Sequence, residues 1–369
     1  MSKESPRSGI IASIVFACIL LALTAFIMYE SIVYKPLTVS YSPALVIKAP
    51  RVPPLDIRAY NKKMIELANF GTTTLETGIA ATSSAWLSTS SSISSPYHRW
   101  PAPAPYPLPG AILPFNRIVA YYGNFYSAQM GILGELPENE LIDRLLTTAA
   151  DWQIADPSTP VIPAIDYIAV VAQGSAGTDR AYRLRMPDSQ IEKAIAMADQ
   201  IHGLVFLDVQ VGLSSLQSEL PLLESYLEKS NVELAIDPEF SMKSSTPGKV
   251  IGTFNADDVN YAASFLADIV RKHGLAPKIL LVHRFTRDMV TGSAEIRPLP
   301  EVEIVMNMDG WGAQDKKIGT YGSVITPYPI QFAGIKLFYK NDARPPSTGL
   351  LTPSEVLSLK PQPIFIEYQ

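Results

Sequence analysis

Two acidic residues stand two positions apart at the end of an apolar run, in the segment VELAIDPEFSM from Val232 to Met242. Asp237 and Glu239 flank a proline, and on an extended chain both side chains would lie on the same face. Turned outward into a helical layer, they would be buried without water at a high free-energy cost. Turned inward at the mouth of a barrel, they would line a pocket. The fold that holds them therefore decides their chemistry.

From Asn116 onward, short β-rich runs alternate with helical patterns or loops. Eight such runs indicate an α/β fold, and specifically a (β/α)8 TIM barrel, for which about 250 residues is the usual length. We predict that this barrel domain covers residues 114–369. An open doubly wound sheet is the alternative, but eight strands favour the closed form. The predicted strands lie in the runs RIVAYYG, AIDYIAVVAQ, GLVFLDVQVG, VELAIDPEFSM, KILLVHRF, VEIVMNMDGWG, FAGIKLFYK and PIFIEYQ.

The chain ends on the eighth predicted strand, so the helix that usually follows this strand is not expected. A helical pattern upstream, from Ile57 to Asn69, is predicted to cover that gap.

Polar and aromatic residues gather at one end of nearly every predicted strand, and active sites of TIM barrels lie at the C-terminal ends of the strands. We therefore expect these residues to meet in one pocket. The predicted catalytic residues are Glu239, Asp237 and Asp208. The predicted substrate-binding residues are Gln210, His283, Asp309, Trp311, Tyr122, Tyr339 and Tyr368.

Carboxylates surrounded by aromatic rings are what glycoside hydrolysis requires. One acid donates a proton to the leaving oxygen, and a second stays ionised to stabilise or attack the cationic sugar centre. Two nearby carboxylates push one pKa upward, so the pair itself divides these roles. We predict Glu239 as the general acid and Asp237 or Asp208 as the second carboxylate. Trp311, Tyr122 and Tyr339 would offer stacking surfaces for sugar rings.

Two other functions remain open at this point. The same pocket could bind a glycan without cleaving it. The acids together with His283 could instead hold the metal of a hydrolase or phosphodiesterase. The sequence contains no HExxH motif and no dense histidine cluster, so we predict no metal and no other cofactor.

The motifs LDVQVG, AIDPEF, VHRF, NMDGWG and a terminal EYQ, in this order, resemble those of an uncharacterised group of exported bacterial proteins, many of which look like lipoproteins. The similarity covers roughly Ile118 to Gln369. It implies a glycoside hydrolase-like TIM barrel located outside the cytoplasm.

Asp237 and Glu239 also resemble the Asp-x-Glu that ends the fourth strand of chitinase-like glycoside hydrolases. This resemblance implies that Glu239 is the acid and that Asp237 orients a substrate acetamide. Met306 and Asp309 match a Met-x-Tyr-Asp motif on the sixth strand of that family, in which Met308 here replaces the tyrosine.

The N-terminal third of the chain has a different composition. Gly9 to Tyr29 is an uncharged apolar stretch long enough to span a bilayer, and Lys3 and Arg7 precede it. We predict a cytoplasmic segment at residues 1–8, a single transmembrane anchor at 9–29 and a Pro/Ser/Thr-rich linker at 30–113. The barrel would then lie at the cell surface or in the periplasm. A cleaved signal peptide is the alternative.

Composition limits the partners. The net charge is −5 with no long basic run, which argues against a nucleic-acid partner. A single cysteine excludes an intramolecular disulfide. The predicted partners are a carbohydrate or cell-envelope glycan and, through the N-terminal helix, a membrane.

Overall fold

A computed structural model describes Thr24 and residues 53–70 and 100–369. Apart from Thr24, the predicted cytoplasmic segment and the membrane helix Gly9–Tyr29 lie outside the described residues, as do residues 30–52 and 71–99 of the predicted linker. Within the part of the chain that is described, no helix is long and apolar enough to cross a membrane.

Eight parallel strands form a closed barrel. The first strand pairs with both the second and the eighth, which closes the ring, and each remaining strand pairs with its neighbours in chain order. The predicted (β/α)8 barrel is therefore confirmed. The strands are β1 Arg117–Gly123, β2 Val161–Ala172, β3 Leu204–Val209, β4 Val232–Ile236, β5 Lys278–His283, β6 Val302–Met308, β7 Phe332–Leu337 and β8 Phe365–Tyr368.

Helices occupy most of the connections between these strands. Among the described residues they are α1 Ile57–Ala68, α2 Glu138–Ala155, α3 Asp188–Gln200, α4 Leu216–Glu219, α5 Glu224–Leu227, α6 Ala256–His273, α7 Gln314–Val324 and α8 Pro353–Leu357. Three short strands also pair near the barrel: Arg183–Arg185 lies antiparallel to the end of β2, and Phe254–Asn255 lies parallel to Val290–Thr291.

Alternation along each strand separates two environments. In β3, Val205 and Leu207 pack in the large apolar cluster with the surrounding helices, whereas Phe206 packs in a second cluster with the inward-facing residues of other strands. The inward positions in the middle of the strands are apolar and those near the C-terminal ends are polar, and two inward positions near the N-terminal ends, Glu233 and Glu303, are also charged. In β3 the change comes between Phe206 and Asp208, both fully buried.

Two segments of the predicted linker pack on the N-terminal end of the barrel. Tyr60 and Leu67 of α1 are buried in the interior apolar cluster. Glu303 of β6 accepts hydrogen bonds from the backbone N–H groups of Ile112 and Leu113, at 3.0 and 2.9 Å. The helix predicted at Ile57–Asn69 is therefore present, but it covers an end of the barrel.

This placement corrects the expectation that α1 replaces the last helix of the outer layer. The apolar face of α1 is buried beneath the strands, and α8 contacts α2 directly on the outside of the barrel. The domain boundaries at residues 8, 29 and 113 remain predictions.

Candidate active site

A layer of buried polar side chains fills the C-terminal end of the barrel. Each of the eight strands contributes one member, which lies at the last inward-facing position of six strands, immediately after β4, and in the middle of the longer β2, where Asp166 is in register with Tyr122. Carboxyl groups outnumber basic side chains in this layer, so its charge must be balanced by protons, by a bound cation or by a ligand. The members are Tyr122, Asp166, Asp208, Asp237, His283, Asn307, Lys336 and Glu367.

One hydrogen-bonded chain links three strands in this layer. The Tyr122 hydroxyl donates to Asp208 Oδ2 at 3.1 Å. Gln210 Nε2 donates to the Tyr122 oxygen and to Asp237 Oδ2, at 3.2 Å each. Burial raises the pKa of Asp208 and raises that of Asp237 well above its usual range, although the positive charge of His283 opposes both shifts. Asp237 is therefore favoured in its protonated form.

Glu239 lies on a tight turn, Pro238–Phe240, directly after β4. Asp237 Oδ1 accepts a hydrogen bond from the Glu239 backbone N–H at 3.0 Å, and the Glu239 carbonyl accepts one from Gly252 N–H at 2.7 Å. A Cβ atom at Gly252 would lie 2.5 Å from the Pro238 oxygen, so this close approach requires glycine. The turn that carries Glu239 is thus held from two sides.

The Glu239 carboxyl group has an unusual pKa. Burial and, to a smaller extent, the negative charge of Asp309 raise the pKa of Glu239 to about 7, although Lys336 and His283 act in the opposite direction. Glu239 is nevertheless partly exposed to the cleft. It is therefore a carboxyl group that holds a proton near neutral pH and can reach a bound molecule.

Two basic side chains lie among the acids. His283 Nδ1 is 3.4 Å from Asp309 Oδ2 and 3.9 Å from Glu367 Oε2. Burial alone would lower the pKa of His283, but Glu367, Asp309 and Asp208 outweigh it and raise the pKa to about 10. His283 is therefore positively charged at neutral pH.

Lys336 of β7 is the second basic group. Its Nζ lies 3.3 Å from Glu367 Oε2 and 3.0 Å from the centre of the Tyr122 ring. Although burial opposes ionisation of Glu367, Lys336 and His283 hold its pKa below the usual range. Glu367 also accepts a hydrogen bond from Asn307 Nδ2 at 2.9 Å.

Asp166, His283 and Glu367 could hold a metal, because one ligand atom from each lies within 4.8 Å of the others. Carboxylates and imidazole are ligands that divalent metals accept. However, the Lys336 ammonium already lies beside Glu367, and the pKa of Asp166 is raised well above its usual range, by burial and by Glu367. A proton on Asp166, together with Lys336 and charged His283, can neutralise this group without a metal.

A cleft of about 670 Å³ opens above the buried layer. Asp208 and His283 lie beneath it, fully buried. The remaining wall includes Lys336 and, from the loops, Phe240 and Phe285. The predicted site residues that line the cleft are Tyr122, Gln210, Asp237, Glu239, Asp309 and Trp311.

Tyr339 and Tyr368 were both predicted to bind substrate, Tyr339 by stacking on a sugar ring, but neither residue lines the cleft. The Tyr368 hydroxyl accepts a hydrogen bond from Trp152 Nε1 at 3.0 Å, and its ring stacks on Tyr339 at 5.1 Å. The physical reason is alternation: Glu367 faces inward, so its neighbour Tyr368 faces the helices.

The predicted site residues did not include four members of the buried layer, Asp166, Asn307, Lys336 and Glu367. Asn307 and Glu367 lie near strand ends, whereas Asp166 and Lys336 are each a single charged residue within an apolar strand, in AIDYIAVV and FAGIKLF. The signal that could have identified them is their place in that run, since an ionisable group inside a strand of a closed barrel must face the interior polar layer or remain buried without a partner.

No family model and no curated protein matches this chain. Similar solved structures include the 7,8-dihydropteroate synthase from Vibrio fischeri ES114, with 8% identity and a TM-score of 0.31 over 60% of this chain and 87% of that one. They also include a ruminal GH26 endo-beta-1,4-mannanase, with 9% identity and a TM-score of 0.33. That alignment covers 69% of this chain and 59% of the mannanase.

Proposed function

We propose that the protein is a glycoside hydrolase-like enzyme that cleaves a glycan by carboxylate acid/base catalysis. The observation that carries the proposal is Glu239, a carboxyl group that lines the cleft and has its pKa raised to about 7 by burial and by Asp309. A general acid works best when its pKa lies near the operating pH. Glu239 would protonate the leaving glycosidic oxygen.

Asp309 is the best candidate for the second carboxylate. It lines the same cleft, and its negative charge acts on Glu239. Asp237, by contrast, is favoured in its protonated form, and its two oxygens accept hydrogen bonds from Glu239 N–H and Gln210. We therefore assign the ionised role, stabilising or attacking the cationic sugar centre, to Asp309. Asp237 and Asp208 would support the site from below.

The substrate would be a glycan of the cell envelope or of the extracellular space. This part of the proposal depends on the apolar stretch Gly9–Tyr29 and the positive charges before it, which favour a single membrane anchor with the barrel outside the cytoplasm.

The test is hydrolysis of a glycan panel by the full-length protein and by Glu239→Gln. Glu140→Gln, which changes an exposed glutamate on α2, is the matched control. Cleavage that is lost in Glu239→Gln and kept in Glu140→Gln supports the proposal. Cleavage that survives in Glu239→Gln contradicts it. Binding without any product, equal in all three proteins, would instead indicate a non-catalytic glycan-binding barrel.

A further inference from the structure

Trp311 is 49% exposed at the rim of the cleft, although burial of an indole is strongly favourable. A single exposed aromatic side chain is common on protein surfaces and by itself indicates nothing. The loop that carries Trp311, however, is held in place by side chains that are buried in the interior of the protein.

A buried ion pair holds the backbone on both sides of Trp311. Lys317 Nζ donates to the Gly310 carbonyl at 2.8 Å and to the Lys336 carbonyl at 2.7 Å, and it lies 3.0 Å from Asp342 Oδ2. Asp342 Oδ1 accepts a hydrogen bond from Gly312 N–H at 2.9 Å. The residues before and after the indole are therefore fixed to the end of β7, and the ring is presented from a rigid base.

Two positive charges flank the ring. Lys316 Nζ lies 5.0 Å and Arg344 Cζ 5.7 Å from its centre. Gly312 has φ +152°, and a Cβ atom there would lie 2.6 Å from Lys316 Cδ, so the glycine leaves room for the lysine chain. The Asp315 carboxylate accepts a hydrogen bond from the backbone N–H of Lys316.

Both cations are exposed, and neither has a carboxylate partner within residues 53–70 and 100–369. By contrast, Lys340, which is close in sequence to Arg344, pairs with Glu135 at 2.6 Å. The charges near Trp311 are thus available to a ligand, whereas the charge of Lys340 is already compensated.

We propose that Trp311, Lys316 and Arg344 form a subsite that binds a negatively charged sugar residue at the rim of the cleft. The indole supplies an apolar surface for the C–H groups of the ring. The ammonium and guanidinium groups bind its carboxylate or phosphate, and the planar guanidinium can donate two parallel hydrogen bonds. The choice of a sugar as ligand depends on the proposed function, but the subsite does not depend on catalysis.

Calorimetry with the full-length protein tests the subsite. The probes are an oligogalacturonate, the same oligosaccharide after reduction of its carboxyl groups to alcohols, and an oligosaccharide joined by phosphodiester bonds. We expect at least one charged probe to bind about tenfold more tightly than the reduced one, as charge-assisted hydrogen bonds would give. Comparison of the two charged probes shows whether the subsite prefers a uronic acid or a phosphate group.

Variants test whether Lys316, Arg344 and Trp311 cause the preference for the charged probe. Lys316→Gln and Arg344→Gln should each reduce the preference for the charged probe severalfold, and Trp311→Ala should weaken binding of all probes. Lys340→Gln removes a cation that Glu135 already compensates and should change nothing. Equal binding of charged and reduced probes, or no binding of either, overturns the proposal, as does a preference that persists in the Lys316→Gln/Arg344→Gln double variant.

The two proposals can fail separately. A charge preference without any cleavage leaves the subsite standing and contradicts the catalytic proposal. Cleavage of neutral glycans with no preference for charged ones supports the catalytic proposal and contradicts the subsite.

Discussion

Asp237 accepts a hydrogen bond from the backbone N–H of Glu239, at 3.0 Å, two residues further along the chain. The spacing of the two acids therefore has a structural cause, since the first caps the short turn that carries the second. The two side chains occupy different environments as a result. Asp237 belongs to the buried layer, whereas Glu239 reaches the cleft.

Replacement of Glu239 tests the chemistry directly. Glu239→Gln keeps the shape of the side chain but cannot supply a proton to a leaving oxygen. We expect the rate of glycan cleavage to fall by about 10²- to 10⁴-fold, the usual contribution of a general acid. Steady-state kinetics would measure this loss, and circular dichroism would show that the barrel is intact. A fall of less than tenfold would exclude Glu239 as the acid.

The pH dependence of the rate follows from the same group. The acid acts in its protonated form, and the pKa of Glu239 is about 7. We expect kcat/KM to be highest below this pH and to fall about tenfold for each pH unit above it. In Asp309→Asn the negative charge that raises the pKa is absent, so the falling limb in the residual activity should move to lower pH. An unchanged limb would contradict the coupling of these two residues.

Stability should depend on pH through Glu239 as well. Its pKa in the folded protein lies above the ordinary value of 4.5, so the folded state holds the proton more tightly than the unfolded chain does. The stabilising contribution is complete below about pH 4.5 and is lost as the pH rises through about 7. One pKa unit corresponds to about 1.4 kcal/mol. The free energy of unfolding of Glu239→Gln, relative to that of the natural protein, should therefore rise by on the order of 3 kcal/mol between pH 4 and pH 8. Urea denaturation at several pH values would measure the difference, and a constant difference would contradict the raised pKa.

Much of the fold could be predicted, because the number of strands and the alternation of side chains along them can be recognised in the sequence. Eight apolar runs gave the closed barrel. The position of α1 could not be predicted in the same way. Its apolar face, with Tyr60 and Leu67, shows that it must pack on something, but a helical pattern does not say which surface accepts it.

Part of the site could be predicted from the sequence. Whether a residue faces the inside or the outside of the barrel explains which predicted residues line the cleft and which do not. Asp208 and Asp237 could be predicted because they lie near the C-terminal ends of apolar runs. Lys336 lies inside an apolar run, so nearness to a strand end does not identify it, and Tyr368 lies near a strand end but on the side that faces the helices. The assignment of the ionised carboxylate to Asp309 needed the three-dimensional arrangement, since its effect on Glu239 acts across different strands.

The pair of Lys336 and Glu367 should be essential for stability. Both side chains are buried, and Nζ lies 3.3 Å from Oε2. Lys336→Met leaves the Glu367 carboxylate with less compensation in a region of low polarity, and we expect a loss of about 3–5 kcal/mol in the free energy of unfolding. Lys336→Met/Glu367→Gln should recover a large part of this loss, as seen by urea denaturation. A double variant that is as unstable as the sum of the single variants would show that the two groups do not interact.

The ion pair of Lys317 and Asp342 should control both stability and the environment of Trp311. Both side chains are buried with 3.0 Å between Nζ and Oδ2, so Lys317→Met should cost about 3–5 kcal/mol. Lys272→Met is a matched control, because its ion pair with Glu224 is exposed to solvent and should contribute little to stability. Lys317 also fixes Gly310, so the fluorescence of Trp311, taken as the difference from a Trp311→Phe counterpart, should change in Lys317→Met and remain unchanged in Lys272→Met. If stability falls while the Trp311 signal stays the same, the ion pair supports the barrel but does not position the indole.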